Sequence, residues 1–307
     1  MTLPNGRIEV HGHRGARGLR PENTLPGFAH ALELGVDVIE LDVGLTADGV
    51  VVVNHDQSLS PVTTADTAPV VPGDPLFPYV GRELRDLTLA QIKTVDAGVR
   101  RLGPGQDCDP FLLTQLPLPG TRLPTLAEVC DLLQGLEEVD PAVELKTDPG
   151  WPDDEVRRFV LAVAEVLDSF GLLSRARLLA FDWRVLAEAR IHVPQAARVA
   201  LVERKTLADG TAWLAGLSAA DPAAAAADAG ANVLSPEHDL VTSRLVHDAH
   251  GRGLRVSVWT VNDPVDMARF IEYGVDAIVT DYPDRLHQVL ATYDIPRPQP
   301  RTPVRLP

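Results

Sequence analysis

An alternation runs along this chain. Short segments rich in Val, Ile and Leu recur, each followed by a longer stretch whose apolar residues have helical spacing. Strands that read as near-continuous apolar runs, joined by connections of a dozen or more residues, belong to parallel sheets with crossover helices. Eight such strands are predicted: Ile8 to His13, Val36 to Asp42, Ala142 to Lys146, Arg177 to Phe181, Ala197 to Val202, Ala231 to Leu234, Arg255 to Val261 and Asp276 to Thr280. The helical stretches include Leu25 to Leu34 stopped by Gly35, Glu155 to Phe170 stopped by Gly171, and Pro264 to Glu272 stopped near Gly274. The fold class is α/β, and eight strand-helix units imply a closed (β/α)8 barrel.

One apolar segment does not fit the repeat. Val50 to His55 follows the second strand through Thr46-Ala47-Asp48-Gly49, whose Asp-Gly is a hairpin signal. It is expected as an antiparallel hairpin arm outside the barrel wall that folds His55 back toward the mouth. From Asp56 to Pro124 the chain is rich in Pro and Gly, with one helical piece around Leu89 to Val95. It reads as part of an insertion, about residues 44–124, over the barrel top, and loops of this length are usually functional. Asp221-Pro222 and Gly230 bracket a short helix in the alanine-rich stretch 219–231. Residues 1–291 are expected to form one catalytic domain. The Pro-rich tail 292–307, whose prolines crowd residues 297–307, is expected to be disordered or draped on the surface.

Composition narrows the function. Hydrophobic residues make up 45% of the chain and charged ones 23%, enough for a large core, while the net charge of −15 repels nucleic acid and anionic lipid. A small-molecule partner is expected, with any phosphate met by a few local cations or a metal. No apolar run reaches the ~20 residues of a membrane span, so no stable membrane anchor is expected. Met1 to Arg7 has no apolar core of a signal peptide, and Cys108 and Cys130 are expected as separate thiols, so the expected compartment is the cytoplasm.

Side chains two apart share one face of a strand. Glu40 and Asp42 therefore point together, as do Glu144 and Lys146, and His11 and His13. Carboxylates aimed into a barrel cost several kcal/mol each if unpaired, and a divalent cation compensates them. Oxygen donors with no cysteine partner select a hard ion, Mg²⁺ or Ca²⁺. His13-Arg14-Gly15 ends the first strand, which suits acid/base work beside an anion, and His55-Asp56 brings a second histidine to the same mouth.

With these residues in order, the chain resembles the glycerophosphodiester phosphodiesterase family. The carrying motifs are His13-Arg14-Gly15 with Pro21-Glu22-Asn23-Thr24, Glu40-Leu41-Asp42-Val43 with Thr46, Asp48-Gly49 and His55-Asp56. Asp86-Leu87-Thr88-Leu89, Pro124-Thr125-Leu126 with Glu128, Glu144-Leu145-Lys146, Val258-Trp259-Thr260-Val261-Asn262 and Asp276 to Pro283 follow. The set spans about residues 8–290 in family order. The resemblance implies a TIM barrel that hydrolyses glycerophosphodiesters to glycerol 3-phosphate and an alcohol. It implies Glu40, Asp42 and Glu144 as ligands of one divalent cation, and His13 and His55 as the general acid/base pair. Arg14 and Lys146 match phosphate contacts, and Trp259 an aromatic beside the substrate.

There are departures. Ala180-Phe181-Asp182 stands where the family commonly has a serine before the phenylalanine, and Ser58, Ser60, Thr63 and Thr64 replace an arginine and threonine pattern after His55-Asp56. His11 reads as core or as support for the site, and Asp281, which could approach the site, reads first as the N-cap of the last helix. Two alternatives stand beside the main reading. A related phosphodiesterase acting on lysophospholipid or another polyol phosphodiester would need, for a lipid tail, an apolar groove in the insertion. A silent phosphate-binding barrel would have lost a histidine or a metal carboxylate.

Overall fold

Strand β1 (Glu9–Gly12) pairs on one side with β2 (Val38–Leu45) and on the other with β9 (Ala277–Thr280), all parallel, which closes the sheet into a ring. The computed structural model describes residues 7–103, 105, 107–208 and 210–303. From β2 the ring continues through β4 (Asp140–Leu145), β5 (Arg177–Ala180), β6 (Ala197–Val202), β7 (Val233–Pro236) and β8 (Arg255–Val258) to β9. The eight parallel strands are those expected, and the protein is a (β/α)8 TIM barrel. Val38, Ala142, Leu179, Val199, Leu201 and Val233 fill its interior, and helices bury the outer face of the strands.

Local chemistry sets the helix ends. In α1 (Leu25–Leu34) the Thr24 side chain accepts from the Gly27 N–H at 3.2 Å and Gly35, at φ +93°, ends the helix. The long α4 (Asp153–Ser169) buries Val156, Phe159, Val160, Val163 and Leu167, the i, i+3, i+4 stripe of an amphipathic helix. In α6 (Pro222–Asp228) the Asp221 carboxylate accepts from the Ala224 N–H at 3.0 Å, so the alanine-rich stretch is a capped helix. The described end of the tail is draped: the Arg301 N–H donates to the Leu32 carbonyl, and residues 304–307 lie outside the described residues, as do 1–6 of the expected domain.

Strand β2 runs beyond the Asp42 boundary expected from sequence. The reason is β3 (Val51–Val53), which pairs antiparallel with its far end, Val43 with Val53 and Leu45 with Val51. This is the hairpin arm. Beyond it the chain builds a small core of its own, in which Leu59, Tyr79, Leu84, Leu87, Ile92 and Val95 pack against Val52. Its helix α2 (Leu89–Ile92) is shorter than expected and starts on a capping box between Thr88 and Gln91. The excursion returns at α3 (Leu126–Leu132), which carries the second capping box, Thr125 with Glu128. At the opposite end of the barrel, buried His11 bonds Glu9 at 3.1 Å and Glu9 pairs with Arg177 at 2.7 Å, a structural ion network away from the mouth.

Candidate active site

The register of β2 and β4 sets Asp42 directly beside Glu144, while Glu40 lies one inward position below Asp42. Carboxylate oxygens of Glu40, Asp42 and Glu144 lie within 4.8 Å of one another, and all three residues are buried. Two cations face them. Lys146 Nζ is 2.5 Å from Glu144 Oε1 and 2.9 Å from Asp42 Oδ1, and Arg14 Nε is 3.2 Å from Asp42 Oδ2. The Lys146 and Arg14 charges hold the Asp42 carboxyl well below its ordinary range despite burial. Glu40 has no such cover: burial and the Asp42 and Glu144 charges push its carboxyl well above the ordinary range, against Arg14. The cluster is short of positive charge.

The loop after β1 delivers three of the site groups. Gly15 has φ +89° and a Cβ there would lie 2.8 Å from the Gly27 backbone of α1, so only glycine lets the loop pass. This packing turns the Arg14 N–H onto Glu40 Oε2 at 2.8 Å and the Arg14 guanidinium onto Glu22 Oε1 at 2.7 Å. Asn23, also at positive φ, clamps Asp42 from the far side: its Nδ2 donates to Asp42 Oδ2 at 2.8 Å and its Oδ1 accepts from the Asp42 N–H at 3.3 Å.

His13 is held by a residue that the sequence reading assigned elsewhere. Asp281 does not cap the last helix, α9 (Pro283–Thr292), whose N-cap is Tyr282 and has no side-chain cap bond. Its fully buried carboxylate instead accepts from His13 Nδ1 at 2.7 Å, from Arg17 at 2.7 and 2.9 Å, and from Asn262 Nδ2 at 2.7 Å. The neighbour relation of β1 and β9 brings the two together, since the His13 N–H also donates to the Thr280 carbonyl. Burial and the Arg17 and Arg14 charges lower the His13 imidazole to about 4, so at neutral pH it is uncharged. His55 follows β3 on the hairpin arm, half-exposed, with Nδ1 bonded to Asp56 Oδ1 at 2.6 Å.

His13, Arg14, Glu40, His55, Glu144 and Lys146 line one cavity of about 60 Å³. Its far wall is apolar: Phe181 and Trp259 meet edge to face at 5.5 Å, and Trp259 Nε1 is fixed on the Ser235 carbonyl at 2.9 Å. Ala180, where a serine was noted as missing, is buried in the wall, and Asp182 is taken by Arg184 at 2.7 Å. All eight candidate residues named from the sequence thus meet at the barrel mouth, joined by Asp281, which was expected first as a cap though able to approach the site, and by Asn262, Arg17 and Asn23, which were not singled out for these contacts. Among the described residues the space between insertion and barrel beside this cavity is lined largely by polar groups, Arg17, Arg100, Ser60, Thr63 and Thr64, with Val62, Ala97 and Leu123 among them.

The comparisons agree with this geometry. The model of the glycerophosphoryl diester phosphodiesterase family matches residues 13–285. A glycerophosphodiester phosphodiesterase of Caldanaerobacter subterraneus subsp. tengcongensis is 29% identical over 90% of this chain and 95% of its own. A crystal structure from Silicibacter pomeroyi, itself a candidate glycerophosphoryl diester phosphodiesterase, superposes with TM-score 0.82 at 33% identity, covering 95% of this chain and 98% of its own. An Oleispira antarctica phosphodiesterase, solved with the product sn-glycerol-3-phosphate, shares the fold with TM-score 0.68 at 22% identity, covering 95% and 100%. No described helix is long and apolar enough to cross a membrane. A family match over nearly the whole barrel, with the motif residues gathered at one mouth, makes this chain a member of the glycerophosphoryl diester phosphodiesterase family, a phosphoric diester hydrolase.

Proposed function

We propose that the protein hydrolyses glycerophosphodiesters to glycerol 3-phosphate and an alcohol, with His13 and His55 moving the protons and Glu40, Asp42 and Glu144 holding one divalent cation, Mg²⁺ or Ca²⁺. The observation that carries this reading is the meeting of two histidines, two cations and three carboxylates around a single cavity. The donor set fits the ion, because it is all oxygen and the raised Glu40 carboxyl marks a deficit of positive charge. When bound, the cation would neutralise phosphate oxygens as a Lewis acid.

The residues of the chain do the rest. Arg14 and Lys146 face the phosphate with guanidinium and ammonium groups, and Phe181 and Trp259 pack the glycerol carbons. The neighbouring space carries Arg17, Arg100, Ser60, Thr63 and Thr64 in its lining, a polar surface that favours a glycerophosphodiester over a lysophospholipid. Asp281 holds the His13 Nδ1–H, so Nε2 carries a free lone pair and His13 is the base that takes the proton of the attacking oxygen, either water directly or the glycerol 2-hydroxyl, whose cyclic phosphate water then opens to glycerol 3-phosphate. His55 gives its proton to the leaving alcohol, with Asp56 steadying its Nδ1.

The reading is tested with a panel of glycerophosphodiesters and a lysophospholipid, with and without Mg²⁺ or Ca²⁺, assaying glycerol 3-phosphate and lysophosphatidic acid respectively. Phosphate binding with no turnover of any diester would leave a silent barrel. Two side chains separate chemistry from structure. Lys146→Met is expected to lower kcat and kcat/KM together by on the order of 10-fold or more, as for a group that stabilises phosphoryl charge. A variant that melted several degrees lower yet turned over normally would make Lys146 a structural partner of Glu144.

Asp281→Asn is expected to lower kcat by on the order of 10²-fold with KM little changed, because a neutral amide no longer fixes the His13 tautomer. Its pH profile supplies a second readout. In the unaltered enzyme the acid limb of kcat/KM should fall near the lowered His13 value of about 4, well below the 6.5 of a free imidazole. An acid limb at 6.5 would remove His13 as the base.

A further inference from the structure

A second cavity opens off the first. It has a volume of about 230 Å³, lies between barrel and insertion, and shares Arg14 and His55 with the catalytic cavity. Resting on the hydrolase reading above, a phosphorus held beside Arg14 and His55 would direct one ester arm to the barrel interior and the other into this space. His55, the proton donor to the leaving oxygen, lies between the two.

The lining pairs its charges, the Asp56 carboxylate holding His55 Nδ1 at 2.6 Å. Arg14 is neutralised by Glu22 and Asp42, Arg17 by Asp281, and Arg100 by Glu22 and by Asp109 at 3.3 Å. A guanidinium has five N–H groups, and these pairings leave N–H groups of all three arginines unspent. Hydroxyls face them. Ser60 Oγ accepts from the Val62 N–H at 3.3 Å and Thr64 Oγ1 donates to the Ser60 carbonyl at 2.6 Å, while among the described residues Thr63 Oγ1 has no protein partner.

The lining lacks other features. Among the described residues no aromatic ring lines the cavity, and the nearby Phe111 ring is already stacked under Arg17 and Arg100 at 5.1 and 5.0 Å, so these residues build no cage for a quaternary ammonium there. The space is below the ~300 Å³ that begins the range for drug-sized ligands, which suits a small headgroup. Leu112 and Leu113 of the insertion are exposed and are not among the lining residues.

We propose that this cavity receives the leaving alcohol of the diester and selects a neutral polyhydroxy headgroup over a quaternary ammonium one. Sites built to hydrogen-bond hydroxyls reject analogues that lack them, because buried donors are then left unpaired. The test is the ratio of kcat/KM for glycerophosphoglycerol over glycerophosphocholine, both read as released glycerol 3-phosphate. A ratio of about 10 or more is expected. In Thr63→Val and in Ser60→Ala, checked for an unchanged melting temperature, the ratio should fall at least about 3-fold toward one. A ratio at or below one in the unaltered enzyme, or a ratio that neither variant moves, would overturn the headgroup assignment while leaving the hydrolase reading intact. Turnover of neither diester would overturn that reading and this assignment with it.

Discussion

Replacing His55 with alanine is expected to lower kcat, at saturating substrate, by on the order of 10²-fold or more while leaving the melting temperature nearly unchanged. The two halves of this expectation come from different features. His55 is half-exposed and its one side-chain bond, to Asp56, is at the surface, so truncation opens no core cavity. The alcohol departs from phosphorus as an alkoxide unless a proton meets it, so loss of the donor falls on the bond-breaking step. His13→Ala should cost as much in kcat, but it also leaves the buried Asp281 carboxylate short of a donor, so a lower melting temperature accompanies it. A combined variant no slower than either single one would show that the two histidines act on one step. Near-normal kcat for His55→Ala would reduce the arm histidine to a structural role.

Removal of divalent cations should abolish turnover and lower thermal stability, with activity restored by Mg²⁺ or Ca²⁺. Full activity after dialysis against excess EDTA would end the metal assignment. The linked pH effect has a definite sign. Glu40 is raised above its ordinary 4.5 by burial and by its carboxylate neighbours. Between 4.5 and that raised value the folded ion-free protein holds a proton that the unfolded chain releases, so ion-free stability falls as pH rises through this window. A cation that pairs with the ionised cluster removes this loss. The gain in melting temperature on adding Mg²⁺ or Ca²⁺ should therefore grow as pH rises from about 4.5. A gain that shrank with rising pH would place the ion elsewhere.

The barrel was legible in the sequence because strand spacing and two-residue periodicity are local signals, and the same periodicity aligned Glu40 with Asp42 and Glu144 with Lys146. The hairpin arm was legible from Asp48-Gly49. What escaped is long-range. The carboxylate of Asp281 reads locally as a helix cap, because an Asp just before a proline-led helix is the ordinary capping pattern; only closure of the ring turns it toward His13. Asn23 stood only within the Pro21-Glu22-Asn23-Thr24 motif, and its clamp on Asp42 depends on a positive φ that no sequence pattern in the loop demanded. The insertion was harder still, since its small core is assembled from scattered residues with no periodic repeat.

The pairing of β1 with β9 has a consequence for the newborn chain. His13 precedes its partner Asp281 by 268 residues, so the strand that carries the partner is made long after the imidazole. A nascent barrel lacking β9 has two open strand edges and an imidazole without its orienting carboxylate. The step that seals the sheet is thus the same step that sets Asp281 against His13. Products that stop short of β9 would carry exposed edges that chaperones and proteases can recognise.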